Sequence, residues 1–146
     1  RTAWVFSEYG TNFLKTMLRL GAEHSELRVV GDQIGCPTYA HDIANAIVVI
    51  LERLITNELN SDLYHFGGNV CCSWAAFAQA IFDEALEHKL IARKPNVVAI
   101  TTKEFPTLAK RPVQSQLNSN KIRTKFMIDA SDCMLGIRSS LAAIKN

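Results

Sequence analysis

Residues 28–38 read Arg28-Val29-Val30-Gly31-Asp32-Gln33-Ile34-Gly35-Cys36-Pro37-Thr38. This short β-branched run passes directly into two glycines and a proline, a pattern typical of a buried strand that ends in a rigid turn. Glycine permits close backbone approach and proline fixes φ, so the turn displays Asp32, Gln33 and Thr38 at the strand end. Open α/β sheets bind ligands at strand ends. A connection that merely needs tight turns explains the same residues equally well.

Strands and helices alternate on both sides of this stretch, which predicts an α/β fold. The predicted strands cover residues 2–6, 27–30, 63–66 and 97–100, and the predicted helices cover about 13–22, 39–54, 74–88 and 133–144. Thr11 or Asn12, Ser73 and Asp132 are placed to cap three of these helices. The helix after residue 39 is apolar over most of its circumference, so we expect it to be buried on more than one side. Residues 57–62 should form a polar turn.

The composition is that of an ordinary globular protein. The chain has 146 residues, of which 48% are hydrophobic and 21% charged, and a net charge of +2. We expect one domain over residues 1–146, or a fragment of a longer chain, because the sequence opens at Arg1 and enters a strand at once. The scattered basic residues argue against a nucleic-acid partner. The absence of a long apolar run argues against a membrane partner, so a cytoplasmic location is the default.

The sequence contains few motifs that indicate a catalytic, metal-binding or ligand-binding site. The sequence contains no GxGxxG, P-loop, GxSxG, HExxH or Tyr-x-x-x-Lys motif, so we predict no catalytic residues in this chain. The four cysteines lack CxxC spacing, which excludes an obvious metal site and favours reduced core or loop residues. Residues 101–120 are long and aperiodic, as binding loops often are, and Arg111 there offers a guanidinium suited to a phosphate or carboxylate. A solvated surface loop is the simpler interpretation of that segment.

Five short motifs occur in a distinctive order and spacing. They are Arg1-Thr2-Ala3-Trp4-Val5-Phe6, then Asn12-Phe13, then Asp32-Gln33-x-Gly35-x-Pro37-Thr38, then Tyr64-His65-Phe66 with Ser73-Trp74, and finally Arg111-Pro112-x-x-Ser115-x-Leu117. Together they resemble the carboxy-terminal half of the dTDP-4-dehydrorhamnose reductase family, which belongs to the extended short-chain dehydrogenases/reductases. The resemblance implies the substrate-binding part of a Rossmann-type fold whose amino-terminal cofactor half lies outside this sequence.

The resemblance also implies a division of labour. The amino-terminal half would bind NADPH or NADH and supply the catalytic Ser/Thr, Tyr and Lys, so these 146 residues alone should be inactive. The carboxy-terminal half would receive a nucleotide-sugar, and the product would feed synthesis of cell-surface polysaccharide such as lipopolysaccharide. By family likeness, the flat face of Trp4 would lie against the deoxysugar ring. Gln33, Pro37 and Thr38 would line the cleft, and Arg111 would meet the diphosphate.

Two alternatives remain open from the sequence. One is another nucleotide-sugar epimerase or reductase of the same superfamily. The other is a non-catalytic regulatory subunit of reductase-like fold, similar to the β subunit of methionine adenosyltransferase. Without the family resemblance, Trp4 is more simply interpreted as a core strand residue. An interrupted parallel sheet would expose an edge, and exposed edges tend to pair with another chain, so a homodimer is a further expectation.

Overall fold

The computed structural model describes residues 1–56, 62–109 and 111–145, and it confirms the α/β fold. In chain order the elements are β1 (Val5–Phe6), α1 (Phe13–Glu23), β2 (Glu26–Val30), β3 (Ile34–Gly35), β4 (Thr38–Tyr39), α2 (Ala40–Ile55), β5 (Cys72–Ser73), α3 (Trp74–Glu87), β6 (Asn96–Ile100), α4 (Asn120–Phe126) and α5 (Cys133–Lys145). A 3-10 turn at Thr102–Glu104 follows β6. The predicted polar turn at 57–62 falls almost wholly outside the described residues.

The strands associate in pairs. β2 and β6 run parallel over five residues, with Leu27 opposite Val97. β1 is parallel to β4, whereas β3 is antiparallel to β5. The residues after Val30, predicted as a continuous turn, therefore contain two short strands. Strand β4 joins the turn to β1, and strand β3 joins it to β5.

Three helices begin where their capping residues predict. The Asn12 side chain accepts a hydrogen bond from the Lys15 backbone N–H at 3.2 Å. Ser73 accepts one from Ala76 at 3.1 Å, and Asp132 accepts one from Leu135 at 3.0 Å. Such side chains satisfy backbone donors that have no partner inside the first helical turn. The boundaries of α1, α3 and α5 are thus set locally, which confirms the predicted starts.

The main hydrophobic core forms around α3. Phe77 is 1% exposed, and Ile81 and Phe82 are fully buried. Helix α1 packs closely here, since a Cβ on Gly21 would overlap the Phe82 ring. On the other side α5 contributes Ile137 and Leu141, and both side chains are fully buried.

Two predictions about the second half of the fold are wrong. Residues 63–66 form no regular strand, although the Phe66 N–H donates a hydrogen bond to the Arg1 carbonyl at 2.9 Å. Helix α2 is covered on one side only, because a smaller cluster with Phe66 and Ile122 packs under Ala46. Its opposite side is exposed within the described residues, where Ile47 and Leu51 are 51% and 48% accessible. A helix that is apolar all round needs two packing partners, and the described chain supplies one.

Among the described residues, no helix combines the length and the apolar character that crossing a bilayer requires.

Candidate functional site

The five motifs converge around the turn after β2. The backbone nitrogen of Arg1 donates to the Tyr64 carbonyl at 2.7 Å, which joins the first motif to the fourth. Ile34 donates to the Val113 carbonyl at 2.8 Å and accepts from the Ser115 N–H at 2.9 Å, which joins the third to the fifth. Segments distant in sequence therefore meet at one place, as expected of a site at strand ends.

Two tryptophans form the centre of this region. The Trp4 and Trp74 rings lie face to face, with centroids 3.4 Å apart and planes within 7°, and we call this pair the indole stack. The other face of Trp4 lies on Gly35, because a Cβ there would overlap three consecutive indole atoms, Nε1, Cε2 and Cδ2. Gly35 must therefore lack a side chain. Both faces of the Trp4 ring are therefore covered by protein, whereas a free flat face was expected from the sequence.

The backbone at Trp4 adopts a left-handed conformation. Its φ is +54°, which is rare for a bulky residue and costs about 1–3 kcal/mol. Thr38 holds this segment in place: its N–H donates to the Trp4 carbonyl at 3.1 Å, and its hydroxyl donates to the Ala3 carbonyl at 2.9 Å. Thr38 and Pro37 are both fully buried, so they shape the site from beneath its surface.

We predict that Thr38→Val lowers the free energy of unfolding by about 1–3 kcal/mol, because it leaves buried carbonyls without their donor. The Thr38 hydroxyl also lies 3.0 Å from the Cys36 carbonyl, so two acceptors are affected. Urea unfolding would measure the loss. Thr38→Ser keeps the hydroxyl and should retain most of the stability. A loss in Thr38→Ser with Thr38→Val near wild type would show that the methyl group, not the hydrogen bond, matters.

A polar network flanks the indole stack. Gln33 is 6% exposed; its Oε1 accepts from Trp74 Nε1 at 3.3 Å, and its Nε2 donates to the Thr102 hydroxyl at 3.0 Å. That hydroxyl donates in turn to Asp32 at 2.6 Å, and the Thr102 N–H donates to the same carboxylate at 2.9 Å. These two bonds, the hydroxyl first, lower the pKa of Asp32 below its usual range. Asp32 thus carries a negative charge at neutral pH.

The cysteines correct the sequence interpretation. Cys36 and Cys71 form a disulfide, whereas all four cysteines were expected to be reduced. Their separation of 35 residues gives no pairing signal, and only the antiparallel contact of β3 with β5 brings them together. Cys72 and Cys133 are free. The disulfide joins the turn under Trp4 to the segment that leads into Trp74. It therefore crosslinks the two sides of the indole stack.

Arg111 lies at the exposed end of the fifth motif. Three residues further on, Gln114 forms an isolated parallel bridge with Ile34, the residue that follows Gln33. Trp4 and Gln33 meet through Trp74, while Pro37 and Thr38 underlie them. Contacts thus bring Trp4, Gln33, Pro37 and Thr38 into one region, whereas Arg111 itself is exposed.

Sequence reasoning missed two contributors to this site. Trp74 was not among the predicted site residues, although its place in the fourth motif was a usable signal. Thr102 gave no signal, because its pairing with Asp32 and Gln33 spans about seventy residues of chain. Among the described residues there is no group of three or more His, Cys, Asp and Glu side chains that could hold a metal ion.

Known proteins share this fold. A crystal structure of dTDP-4-dehydrorhamnose reductase from Bacillus anthracis in complex with NADP has 36% identity and a TM-score of 0.81, over 98% of this chain and 47% of that one. A dTDP-4-dehydrorhamnose reductase ortholog from Clostridium acetobutylicum has 32% identity and a TM-score of 0.83, over 100% and 48%. The fold is thus that of the substrate-binding part of a short-chain dehydrogenase/reductase.

The family assignment is more specific. The RmlD substrate binding domain model matches residues 1–146, so the chain belongs to that family. The dTDP-4-dehydrorhamnose reductase of Aggregatibacter actinomycetemcomitans is 49% identical over 140 residues, which cover 95% of this chain and 48% of that protein. The chain spans about half the length of the curated relatives it matches.

Proposed function

We propose that this chain is the substrate-binding half of an NAD(P)H-dependent reductase that converts dTDP-4-dehydro-L-rhamnose to dTDP-L-rhamnose. The observation that carries the proposal is the convergence of the five family motifs around the indole stack and Gln33. Proteins named dTDP-4-dehydrorhamnose reductase match nearly the whole chain. In this proposal, residues 1–146 form one substrate-binding domain of a longer polypeptide.

The nicotinamide cofactor is assigned to the amino-terminal half. The related Bacillus anthracis enzyme is described in complex with NADP, and the cofactor of such a reductase would supply the hydride. Dinucleotides are commonly held by a glycine-rich turn that opens a helix. This sequence contains no such motif, so its own residues do not fit the cofactor and serve the sugar nucleotide instead.

The substrate contacts are proposed from position and exposure. The half-buried Trp4 offers its rim to the deoxysugar, and the exposed Arg111 offers a planar fork of donors to the diphosphate. Gln33 would line the cleft beside them. Pro37 and Thr38 contribute through the backbone that they fix, since both are fully buried.

The proposal extends to the assembly of the enzyme and its location in the cell. The exposed apolar face of α2 supports burial against further protein, either the amino-terminal half or a second copy in a homodimer. We place the enzyme in the cytoplasm. A stable disulfide is uncommon in that reducing compartment, so the redox state of Cys36 and Cys71 in cells bears directly on the placement.

The test compares the complete polypeptide with this chain alone. NADPH oxidation is followed with dTDP-4-dehydro-L-rhamnose as substrate, and we expect turnover by the complete polypeptide and none by the chain. Arg111→Ala should raise the KM for the nucleotide-sugar about tenfold, the effect of losing a charge-assisted hydrogen bond. Lys103→Ala removes a charge from the same aperiodic region and is the matched control. Turnover by the chain alone would contradict the division of labour. A complete polypeptide that binds dTDP without turnover would instead be a regulatory subunit.

A further inference from the structure

We propose that Trp74 is a positioning residue for the nucleotide-sugar, acting through Trp4. This inference rests on the proposed function, because it concerns how the substrate cleft is kept in shape. Trp74 belongs to α3 and Trp4 precedes β1, so their contact joins two elements seventy residues apart in sequence. Trp74 is thereby able to set the angle of the Trp4 indole.

The first step is that Trp74 is itself held firmly. Its ring contacts Phe13 with centroids 4.6 Å apart, and its Nε1–H donates to Gln33 at 3.3 Å. Gln33 is anchored in turn by its bond to Thr102. The tryptophan thus has an apolar contact on α1 and a polar contact at the strand end. Together these contacts fix both the position of the ring and its side-chain torsion angles.

The second step is that Trp4 depends on this support. Its indole lies between the Trp74 ring and the Gly35 backbone, and no polar contact of its Nε1–H holds it among the described residues. Removing Trp74 would leave one whole face of the indole uncovered. The Trp4 ring would then be free to rotate away from its present plane.

The exposure of the two tryptophans distinguishes this role from ordinary core packing. Both tryptophans are only half-buried, whereas Phe77 and Phe82 on the same helix are almost or fully buried. The hydrogen-bonded partner of Trp74 is a side chain already assigned to the cleft. The indole stack therefore lies at the border between the core and the site, where the orientation of a ring affects a ligand directly.

The experiment uses the complete polypeptide and two substitutions of Trp74. Trp74→Ala should raise the KM for dTDP-4-dehydro-L-rhamnose about tenfold, in the range of a lost aromatic pair, while the KM for NADPH stays unchanged. Trp74→Phe keeps an aromatic face and should restore most of the affinity. Phe82→Leu, also on α3, is the control: it loosens the core of that helix without touching Trp4, and it should leave both KM values near wild type.

A second measurement, ultraviolet circular dichroism, does not depend on catalytic turnover. Two stacked indoles couple their electronic transitions, and the coupling gives paired bands of opposite sign in ultraviolet circular dichroism when one ring is twisted relative to the other about the stacking axis. We expect this couplet in the wild type and its loss in both Trp4→Phe and Trp74→Phe, but not in Phe82→Leu.

The outcomes distinguish the two proposals. If the couplet is present and the reductase is active but Trp74→Ala leaves the sugar KM unchanged, the positioning role is wrong and the proposed function stands. The positioning role also fails if Phe82→Leu raises that KM as much as Trp74→Ala does, because the effect is then general loosening of α3. If the complete polypeptide neither binds dTDP-L-rhamnose in calorimetry nor turns over its substrate, the proposed function fails and the inference falls with it.

Discussion

Replacing Cys71 with serine is expected to lower the free energy of unfolding by about 4 kcal/mol, because the Cys36–Cys71 disulfide closes a loop across 35 residues and restricts the unfolded chain. The substitution also frees the turn under Trp4 from the segment that leads into α3. Urea unfolding of the complete polypeptide under non-reducing conditions measures the loss as a lower midpoint. Cys72→Ser is the matched control, since the neighbouring Cys72 is free and should tolerate the change.

Thiol counting checks the pairing independently. Alkylation of the unfolded, unreduced protein should modify Cys72 and Cys133 within this chain, and prior reduction should add Cys36 and Cys71. In the folded state, burial raises the pKa of the Cys133 thiol to about 12, so that thiol should react slowly at neutral pH. Alkylation of all four cysteines without reduction would show that the reduced state expected from the sequence is the correct one.

Truncating Phe82 to alanine is expected to lower the free energy of unfolding by about 3–5 kcal/mol. The ring is fully buried in the main core and lies directly against Gly21 of α1. Its removal leaves a cavity that the two packed helices cannot close. Both the lost burial of apolar surface and the lost van der Waals contacts therefore contribute to the destabilisation. The midpoint of urea unfolding should fall accordingly.

Phe105→Ala is the control for this prediction. It removes the same atoms from a ring that is 56% exposed, so we expect a change within about 0.5 kcal/mol. Comparable losses at the two positions would mean that Phe82 does not occupy the centre of the core.

Much of the helical structure was predictable, because its signals are local. Asn12, Ser73 and Asp132 each cap a helix through a hydrogen bond to a residue three positions onward. The apolar residues of α3 recur at helical spacing, and Phe77 and Ile81 among them are buried. The helix α4 was missed, since seven residues between irregular segments give too short a periodic pattern.

The strands were harder to predict for the opposite reason. Five-residue strands such as β2 and β6 were found, because their β-branched runs are distinctive. The two-residue strands β3 and β5 exist only through their contact with each other and leave no trace in composition. Residues 63–66 have a strand-like composition, but the backbone hydrogen bonds that they form within the described residues are to Arg1. Strand formation depends on a partner from elsewhere in the chain.

By itself, the sequence determined the α/β class, the helix starts and the family, since these depend on short spacings and on motifs in order. Tertiary structure alone decided that Cys36 meets Cys71, that Trp4 lies between Gly35 and Trp74, and that Thr38 lies beneath the site. Each of these facts is a contact between segments about thirty or more residues apart. Such contacts form because burial and hydrogen bonding at the ends of a long loop offset the entropy cost of closing it. No local sequence pattern indicates which two ends will meet.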